Sequence, residues 1–255
     1  MTKAPNSLTY SSVVSRESVK IAFLVAALND LDIMSCDIGN AYLNAPCKER
    51  IWFVAGKECG PNLEGKPCKL VRALYGLKSS GAAWRAMFSN FVTNTLGFTP
   101  TRIDPDVYYR KGIRPSGDAY YEYILVYVDD VLAISLDPVE IMKEIGRHFT
   151  IKDDKYGAPT TYLGANIEKI QLEDNSYAWS MTSKHYVKNL IETVSNLLAE
   201  DGRELKGTFK QKSHTGPLPV SYAPELEDTP HCSEEHASRY RQIIGILRWA
   251  VELGR

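Results

Sequence analysis

The sequence predicts an α+β fold in which helices pack against one face of an antiparallel sheet. Helix-like and strand-like segments mix along the 255 residues without strict alternation, a pattern typical of this class. Residues 120–128 and 131–135 are strongly apolar and nearly adjacent, so we interpret them as the two strands of one hairpin. The chain is 44% hydrophobic and 24% charged, a composition that predicts a globular core.

The N-terminal part is predicted to form a helix, a strand and a loop. Residues 15–30 carry apolar side chains at i, i+3, i+4 and i+7 spacing, and Ser15 is the expected cap. Residues 31–38 form a short strand that ends near Asp37. Residues 56–67 contain three glycines and two prolines, which predict a loop.

The clearest helix covers residues 80–97. Its large apolar side chains fall on one stripe, and Gly97 stands where a C′ residue is expected. We assign the stripe to the core, because packing alone explains its spacing. The stripe consists of Trp84, Met87, Phe88, Phe91 and Val92.

The middle of the chain is predicted to be mostly β. The strand 107–110 is followed by a loop and then by the apolar hairpin. Because this hairpin is apolar on both faces, we expect it at the centre of the sheet. A helix begins at Asp137, with Pro138 at its first position and Glu140 at its third.

The C-terminal part is predicted to contain a second hairpin and two helices. Segments 161–170 and 176–181 flank a polar turn and form the hairpin. Residues 183–198 carry an apolar helical face. The polar, proline-containing segment 199–234 is interpreted as a linker or long loop, and the last helix begins near Ser233.

Composition excludes several classes of protein. The 30 basic and 31 acidic residues give a net charge of -1, which neither supports nor excludes a polyanionic partner. The five cysteines are scattered without a CxxC pair, so we expect a reducing compartment and no zinc site or disulfide framework. No signal peptide is visible, and the longest apolar run, 21–28, is too short to span a bilayer, so we expect a soluble protein.

Three acidic residues stand at predicted strand ends. Asp129 and Asp130 are expected to form the turn of the apolar hairpin, with Asp37 at the end of a neighbouring strand. Converging carboxylates repel one another unless a cation lies between them, and carboxylate oxygens suit Mg²⁺. A pair of such ions is used for in-line phosphoryl transfer. The alternative is an ordinary hairpin turn, because Asp tolerates turn geometry.

Five segments carry a resemblance to a known family. One resembles the YxDD signature of reverse transcriptases, a second resembles their other catalytic segment, and three resemble further blocks of copia-type LTR retrotransposons in the same order. In chain order the segments are "CDIGNAYLNAP" (36–46), "LVRALYGLKSSGAAWRAMF" (70–88), "GFTPTRIDPDVYY" (97–109), "YVDD" (127–130) and "TIKDDKYGAPTTYLGANI" (150–167). The chain therefore resembles the reverse transcriptase domain of a copia-type Pol polyprotein over residues 8–195.

The resemblance implies a right-hand polymerase palm and assigns roles to single residues. Asp37 and Asp129 match the two metal-binding aspartates, and Asp130 matches the third carboxylate. The backbone carbonyl of Ile38 is implied to help hold a metal ion. Tyr42 matches the aromatic residue that excludes the 2′-hydroxyl of a ribonucleotide. Without the motif, Tyr42 is typical of a packed tyrosine after a strand.

Further residues are implied to contact nucleotide or primer–template. Tyr75 and Gly76 belong to the segment near the nucleotide, although Gly76 alone is typical of a plain turn. Lys78 is implied to touch phosphate, although a lone lysine is more often solvated. The implied template and primer contacts are Lys78, Tyr127, Val128 and the primer-grip residues Tyr162, Leu163 and Gly164.

The implied function is that of an RNA-directed DNA polymerase, which transfers a nucleotide from a dNTP to a primer 3′-hydroxyl. Two Mg²⁺ ions are the implied cofactors, with Mn²⁺ as a substitute. The implied partners are an RNA or DNA template with its primer, dNTPs, and the RNase H and integrase parts of the Pol polyprotein, with no membrane. The implied location is the cytoplasm, in a virus-like particle for an intact element.

The resemblance also implies a domain organisation. Residues 1–170 are expected to form the palm with a remnant of the fingers, and 171–255 a primer-grip or thumb-like part with the start of the connection. Only 36 residues precede Asp37, and the basic fingers block of the family is not among them, so we expect truncated fingers. Two alternatives are an inactive retroelement remnant that at most binds nucleic acid, and a different palm-type nucleotidyl transferase.

Overall fold

The computed structural model describes residues 9–200, 202 and 232–254. The chain divides into two units. The first unit comprises Met1–Pro159 and Lys169–Trp179, and the second comprises Thr160–Glu168 and Ser180–Arg255. Among the described residues, no helix combines the length and the apolar character needed to cross a membrane.

Helices and strands are mixed along the described residues, in a mixed α/β architecture. The helices are α1 (Arg16–Leu28), α2 (Ala41–Asn44), α3 (Ser80–Asn94), α4 (Pro138–His148), α5 (Lys184–Glu200) and α6 (Glu234–Gly254). The first strands are β1 (Asp32–Ile38), β2 (Trp52–Val54), β3 (Pro67–Lys69), β4 (Thr99–Pro100), β5 (Val107–Ile113) and β6 (Ala119–Tyr127). The remaining strands are β7 (Asp130–Ser135), β8 (Ile151–Gly157), β9 (Thr161–Tyr162), β10 (Ala165–Gln171) and β11 (Tyr177–Thr182).

A six-stranded antiparallel sheet organises the first unit, in the order β4-β5-β6-β7-β1-β8. The apolar hairpin β6–β7 lies at its centre, as the sequence predicts, because strands that are apolar on both faces need cover on both. Strand β1 pairs with β7, so the strand that contains Asp37 lies beside this hairpin. Strands β2 and β3 form a separate pair.

The core of the first unit occupies both faces of this sheet. Alternate residues point to opposite faces, and Ile124, Val131 and Ala133 join α3 and α4 in one apolar cluster. Leu125 and Leu132 point the other way and are also fully buried, and α1 contacts β1 and β7. Helices therefore pack on both faces, and the prediction that they cover one face is wrong. The two-sided apolar pattern of the central strands is the physical reason.

Two helices of the first unit begin where the sequence predicts. The Ser15 hydroxyl caps α1 by accepting a hydrogen bond of 3.2 Å from the Ser18 N–H. The Asp137 carboxylate caps α4 by accepting a 3.2 Å hydrogen bond from the Val139 N–H, and Pro138 is the first helical residue. These side chains satisfy N–H groups that a helix N-terminus leaves unpaired.

Several boundaries differ from the predicted ones, among them the ends of β5 and α3. Strand β5 extends to Ile113, because the following turn closes only where the Arg114 N–H donates to the Asp118 carbonyl oxygen, at 2.8 Å. Gly97 has a φ of +73°, but it lies two residues beyond Thr95, the cap of α3, and therefore one residue past the C′ position.

The predicted elements of the C-terminal part are present. The second hairpin appears as β10 and β11, but its predicted first strand, 161–170, is divided by a turn into β9 and β10, and the three strands form one sheet. Helices α5 and α6 contact each other, and the Tyr186 hydroxyl donates a 3.0 Å hydrogen bond to the Ile246 carbonyl oxygen. The predicted linker, 199–234, lies outside the described residues except at its ends and at residue 202.

Candidate active site

Three carboxylate residues meet at one end of the central strands. Asp37 of β1 and Asp130 of β7 are directly opposite each other in the antiparallel register. The Ile38 N–H donates a 2.8 Å hydrogen bond to the Asp129 carbonyl oxygen, which ties Asp129 to the end of β1. The sheet therefore brings together the three acids that stand far apart in the sequence.

Burial and mutual repulsion change the acidity of this group of carboxylates. Burial, followed by the charges of Asp129 and Asp37, raises the pKa of Asp130 from 3.8 to about 6. Lys152 acts in the opposite direction on this pKa. Its Nζ lies 3.4 Å from Asp37 Oδ2, and both side chains are partly exposed. One lysine therefore offsets part of the charge of three acids.

A buried cysteine lies next to these acids. Burial, followed by the charges of Asp37 and Asp130, raises the pKa of Cys36 to about 12. The thiol therefore stays protonated, whereas a metal ligand or nucleophile must be a thiolate. Cys36 belongs to the main apolar cluster, and packing explains its presence.

The donor set of the site suits a hard divalent cation. Carboxylate oxygens are preferred ligands of Mg²⁺, and the raised pKa of Asp130 reflects burial and then repulsion by its neighbours, both of which a bound cation would offset. No three His, Cys, Asp or Glu side chains in the described ranges are arranged to hold a metal ion by themselves. Mg²⁺ commonly takes one or two carboxylates from a protein and its other ligands from water and substrate phosphates. The acids thus fit a partial coordination shell.

The turn between β6 and β7 differs from the predicted one. Its two residues are Val128 and Asp129, whereas Asp130 is the first residue of β7 and pairs with Tyr127. The prediction that the two aspartates form the turn together is wrong, because Asp130 belongs to the strand ladder. Val128 has a φ of +59°, which is unusual for a β-branched residue.

A buried tryptophan contacts this turn. The Trp84 Nε1–H donates a 2.7 Å hydrogen bond to the Val128 carbonyl oxygen. Trp84 is 1% exposed, and its ring lies 5.2 Å from that of Phe88 and 5.4 Å from that of Phe149, measured between centroids. The structure confirms that Trp84 is a core residue and adds a polar contact that the sequence analysis did not predict.

Tyr42 lies near the acids on the short helix α2. Asn40, the residue before α2, has a φ of +50° and lets the chain leave β1 in a tight turn. The Tyr42 and Tyr75 rings contact each other with centroids 4.6 Å apart. Burial, followed by the charge of Asp129 and by Tyr75, raises the pKa of Tyr42. The structure therefore brings two of the predicted nucleotide-binding residues together beside the acids.

The neighbouring loop carries two more predicted residues. Gly76 has a φ of +91°, a conformation that favours glycine, so a turn accounts for this residue without any ligand. Lys78 is exposed just before α3. Nothing in the local geometry distinguishes Lys78 from a solvated lysine.

The predicted primer-grip residues lie in the second unit. Tyr162 of β9 pairs with Ala165 of β10, so Leu163 and Gly164 form a two-residue turn. Both turn residues have positive φ values, +49° and +81°. Two successive positive values are typical of a type I′ hairpin turn. Tyr162 is 4% exposed.

Comparison with known proteins identifies the family. A family model described as "Reverse transcriptase (RNA-dependent DNA polymerase)" matches residues 5–200. The chain belongs to the reverse transcriptase family. The resemblance drawn from the five sequence segments is therefore confirmed.

Plant transposon polyproteins are similar to this chain. The "Retrovirus-related Pol polyprotein from transposon TNT 1-94" of Nicotiana tabacum is 26% identical over 241 residues, which cover 92% of this chain and 17% of the relative. The corresponding polyprotein from transposon RE1 of Arabidopsis thaliana is 29% identical over 247 residues, covering 94% and 15%. That from transposon RE2 is 26% identical with the same coverage. The chain thus spans less than a fifth of the length of these relatives.

Two residues at the site were not predicted from the sequence. Lys152 lies in the segment 150–167, where its residue type alone indicates no role, and its contact with Asp37 depends on the β1–β8 pairing. The Trp84 hydrogen bond was missed because helical spacing reveals which face is buried but not where an indole N–H points.

Proposed function

We propose that this chain is the RNA-directed DNA polymerase domain of a retrotransposon Pol polyprotein. In this proposal the sheet of the first unit is the right-hand palm, and the chain extends a primer 3′-hydroxyl with dNTPs. The observation that supports it best is the pairing of Asp37 with Asp130, with Asp129 tied to the end of β1. These acids come from the two segments that resemble the catalytic segments of the family.

Asp37, Asp129, Asp130 and the Ile38 carbonyl are proposed to hold two Mg²⁺ ions, with Mn²⁺ as a substitute. When bound, such ions make the primer hydroxyl more acidic and neutralise the charge of the pyrophosphate leaving group. The protein supplies position and charge: β1 and β7 present two carboxylates across one ladder, and the turn presents the third.

Tyr42 is proposed to select deoxyribonucleotides. A tyrosine ring next to the reacting nucleotide excludes the extra 2′-hydroxyl by its volume. Its contact with Tyr75 and its proximity to Asp129 support this role, because they restrict the ring to the neighbourhood of the acids. Gly76 is proposed to let the nucleotide approach the backbone closely.

Primer and template handling are assigned to other residues in the proposal. Tyr127, Val128 and Lys78 contact template or primer, and Tyr162–Gly164 form the primer grip. Residues 1–170 act as the palm with part of the fingers, and 171–255 act as the thumb-like and connecting part. The proposed partners also include the RNase H and integrase parts of a Pol polyprotein. The proposed location is a virus-like particle in the cytoplasm.

Primer extension tests the proposal. The full chain is incubated with poly(rA)·oligo(dT), dTTP and Mg²⁺, and the wild type is compared with Asp129→Asn. We expect a loss on the order of a thousandfold for the variant, and the same loss when the metal is removed by a chelator. Asp118→Asn, an exposed acid in the β5–β6 turn, is the matched control and retains activity.

Two other outcomes would redirect the proposal. Activity that survives in the double variant Asp129→Asn/Asp130→Asn would show that the acids are not the site. A wild-type chain that binds primer–template without extending it would support the alternative, an inactive retroelement remnant that only binds nucleic acid.

A further inference from the structure

The peptide unit between Val128 and Asp129 is fixed by a side chain from another element. The Val128 carbonyl oxygen belongs to this peptide, and the Trp84 Nε1–H donates to it at 2.7 Å. Fixing the carbonyl direction fixes the plane of the peptide, and hence ψ of Val128 and φ of Asp129. These two angles set the direction in which the Asp129 side chain leaves the backbone.

The conformation of this peptide is not one that the local sequence favours. Val128 has a φ of +59°, where a β-branched side chain crowds the backbone. Such residues persist when the surrounding structure determines them from several sides. Two hydrogen bonds from outside the hairpin do so: one from Trp84 to residue 128, and one from the Ile38 N–H to the Asp129 carbonyl, at 2.8 Å.

The donor itself is held rigidly. Trp84 is 1% exposed, and its ring packs in one cluster with those of Phe88 of α3 and Phe149, the residue that follows α4. An indole that is packed against these two phenylalanine rings cannot rotate its N–H away from Val128 without disrupting the core. Through the Trp84 hydrogen bond, the packed core therefore restricts the peptide between Val128 and Asp129.

We propose that Trp84 is a positioning residue for nucleotidyl transfer: its indole N–H holds the 128–129 peptide so that the Asp129 carboxylate faces Asp37. This inference rests on the proposed function and assigns a role to a residue that the sequence analysis placed in the core alone. A purely structural tryptophan would also satisfy its N–H when buried, so the test separates positioning from packing.

The test removes the N–H while keeping the ring. Trp84 is replaced by benzothienylalanine, in which sulfur takes the place of the N–H group, and in parallel by Trp84→Phe. We expect Mn²⁺ binding to the full chain, followed by electron paramagnetic resonance, to weaken about fivefold to tenfold. We expect kcat of primer extension to fall by a similar factor, with the KM for dTTP within about twofold of the wild type.

A matched control perturbs the same core without touching the turn. The ring of Phe91 contacts those of Phe88 and Phe149. Phe91→Leu perturbs this core but keeps both of the rings that contact Trp84, and it is expected to lower the melting temperature. Mn²⁺ affinity and kcat, expressed per folded molecule, stay at the wild-type values in this control. If Phe91→Leu weakens Mn²⁺ binding as much as the loss of the N–H does, packing explains the effect and the inference fails.

A second background tests the link to the strained turn. Val128→Gly removes the side chain that disfavours positive φ, so the turn no longer depends on one external donor. In this background the loss of the Trp84 N–H is expected to change Mn²⁺ affinity by less than about twofold. An equal loss in both backgrounds, or no loss in either, overturns the inference.

The outcomes also distinguish this inference from the proposed function. A wild-type chain that neither binds Mn²⁺ nor extends a primer contradicts the proposed function and with it this inference. A wild-type chain that does both, together with Trp84 variants that match it, contradicts the role of Trp84 alone.

Discussion

Two tight hairpin turns of the molecule reach unusual backbone conformations in different ways. Val128–Asp129 joins β6 to β7, and Leu163–Gly164 joins β9 to β10. Each turn begins with an apolar residue at positive φ, +59° for Val128 and +49° for Leu163. In the second turn a glycine follows at +81°, a conformation without steric cost for glycine. In the first turn an aspartate follows.

The first turn is held from outside its hairpin. The Trp84 indole and the Ile38 N–H donate to the carbonyl oxygens of its two residues. Within the ranges that the structure describes, no comparable hydrogen bond reaches Leu163 or Gly164 from another element. Hydrogen bonds from other elements can therefore stabilise a strained turn that contains an aspartate. A turn without such hydrogen bonds depends on glycine for its positive φ.

The largest expected effect comes from removing the external support of the first turn. Trp84→Ala leaves a cavity beside Phe88 and Phe149 and removes the hydrogen bond to Val128. We expect the free energy of unfolding to fall by about 4 kcal/mol, measured by urea denaturation. Trp52→Ala, at a residue that is 64% exposed, should cost less than about 1 kcal/mol. Equal costs for the two substitutions would contradict the buried, anchoring role of Trp84.

The second turn should depend on its glycine instead. Gly164→Val places a β-branched residue at a φ of +81° and is expected to destabilise the chain by about 2 kcal/mol. Thermal unfolding measures the change. The matched control is Gly157→Val, because Gly157 has no positive φ and open space around its Cβ position. A large effect at residue 157 and none at residue 164 would show that this turn is not limited by its backbone.

The region of the first turn, unlike that of the second, should respond to pH through Asp130, which follows the turn in β7. The pKa of Asp130 in the folded chain is about 6, above its usual value of 3.8, so the folded state binds the proton more tightly. The contribution of Asp130 to the free energy of unfolding is therefore greatest below about pH 4, and it is lost as the pH rises through about 6. Asp130→Asn should stabilise the metal-free chain by about 1 kcal/mol at pH 7.5, after allowance for solvent screening, and hardly at all at pH 3.5.

Urea denaturation at the two pH values, without divalent metal, measures this effect. Asp118→Asn, an exposed acid, is the control and should show the same stability as the wild type at both values. An Asp130→Asn variant that is less stable than the wild type at pH 7.5 would contradict a raised pKa of Asp130 in the folded chain.

The smallest effect is expected where strain and packing offset each other. Val128→Gly relieves the positive φ but loses apolar contact, so the free energy of unfolding should stay within about 1 kcal/mol of the wild type. Val131→Gly, at a fully buried position of β7 without positive φ, should cost about 3 kcal/mol. Calorimetric unfolding of both variants checks the difference. Equal costs would show that Val128 carries no strain.

Patterns that depend on local chemistry were readable from the sequence. The caps at Ser15 and Asp137 were predicted because a side-chain oxygen followed by a helical apolar pattern is a local signal. The central position of the apolar hairpin was predicted because its strands are apolar on both faces. The pairing of Asp37 beside the hairpin follows from the same signal, combined with the expectation of an antiparallel sheet.

The errors occurred where register or direction decides the outcome. Assigning both aspartates to the turn was wrong because one residue of register moves Asp130 into the β7 ladder. The contact of Lys152 with Asp37 depends on the irregular pairing of β1 with β8. No periodicity in the sequence reports either of these features.

The sequence by itself determined the family, the apolar strands and the identity of the three acids, because residue type and short-range spacing carry that information. Tertiary structure alone decided how the acids are held. The positive φ of Val128 needs donors from α3 and β1, and these elements reach the turn only after the chain has packed. A strained backbone is stable only inside the structure that surrounds it, so its existence cannot be read from the residues that adopt it.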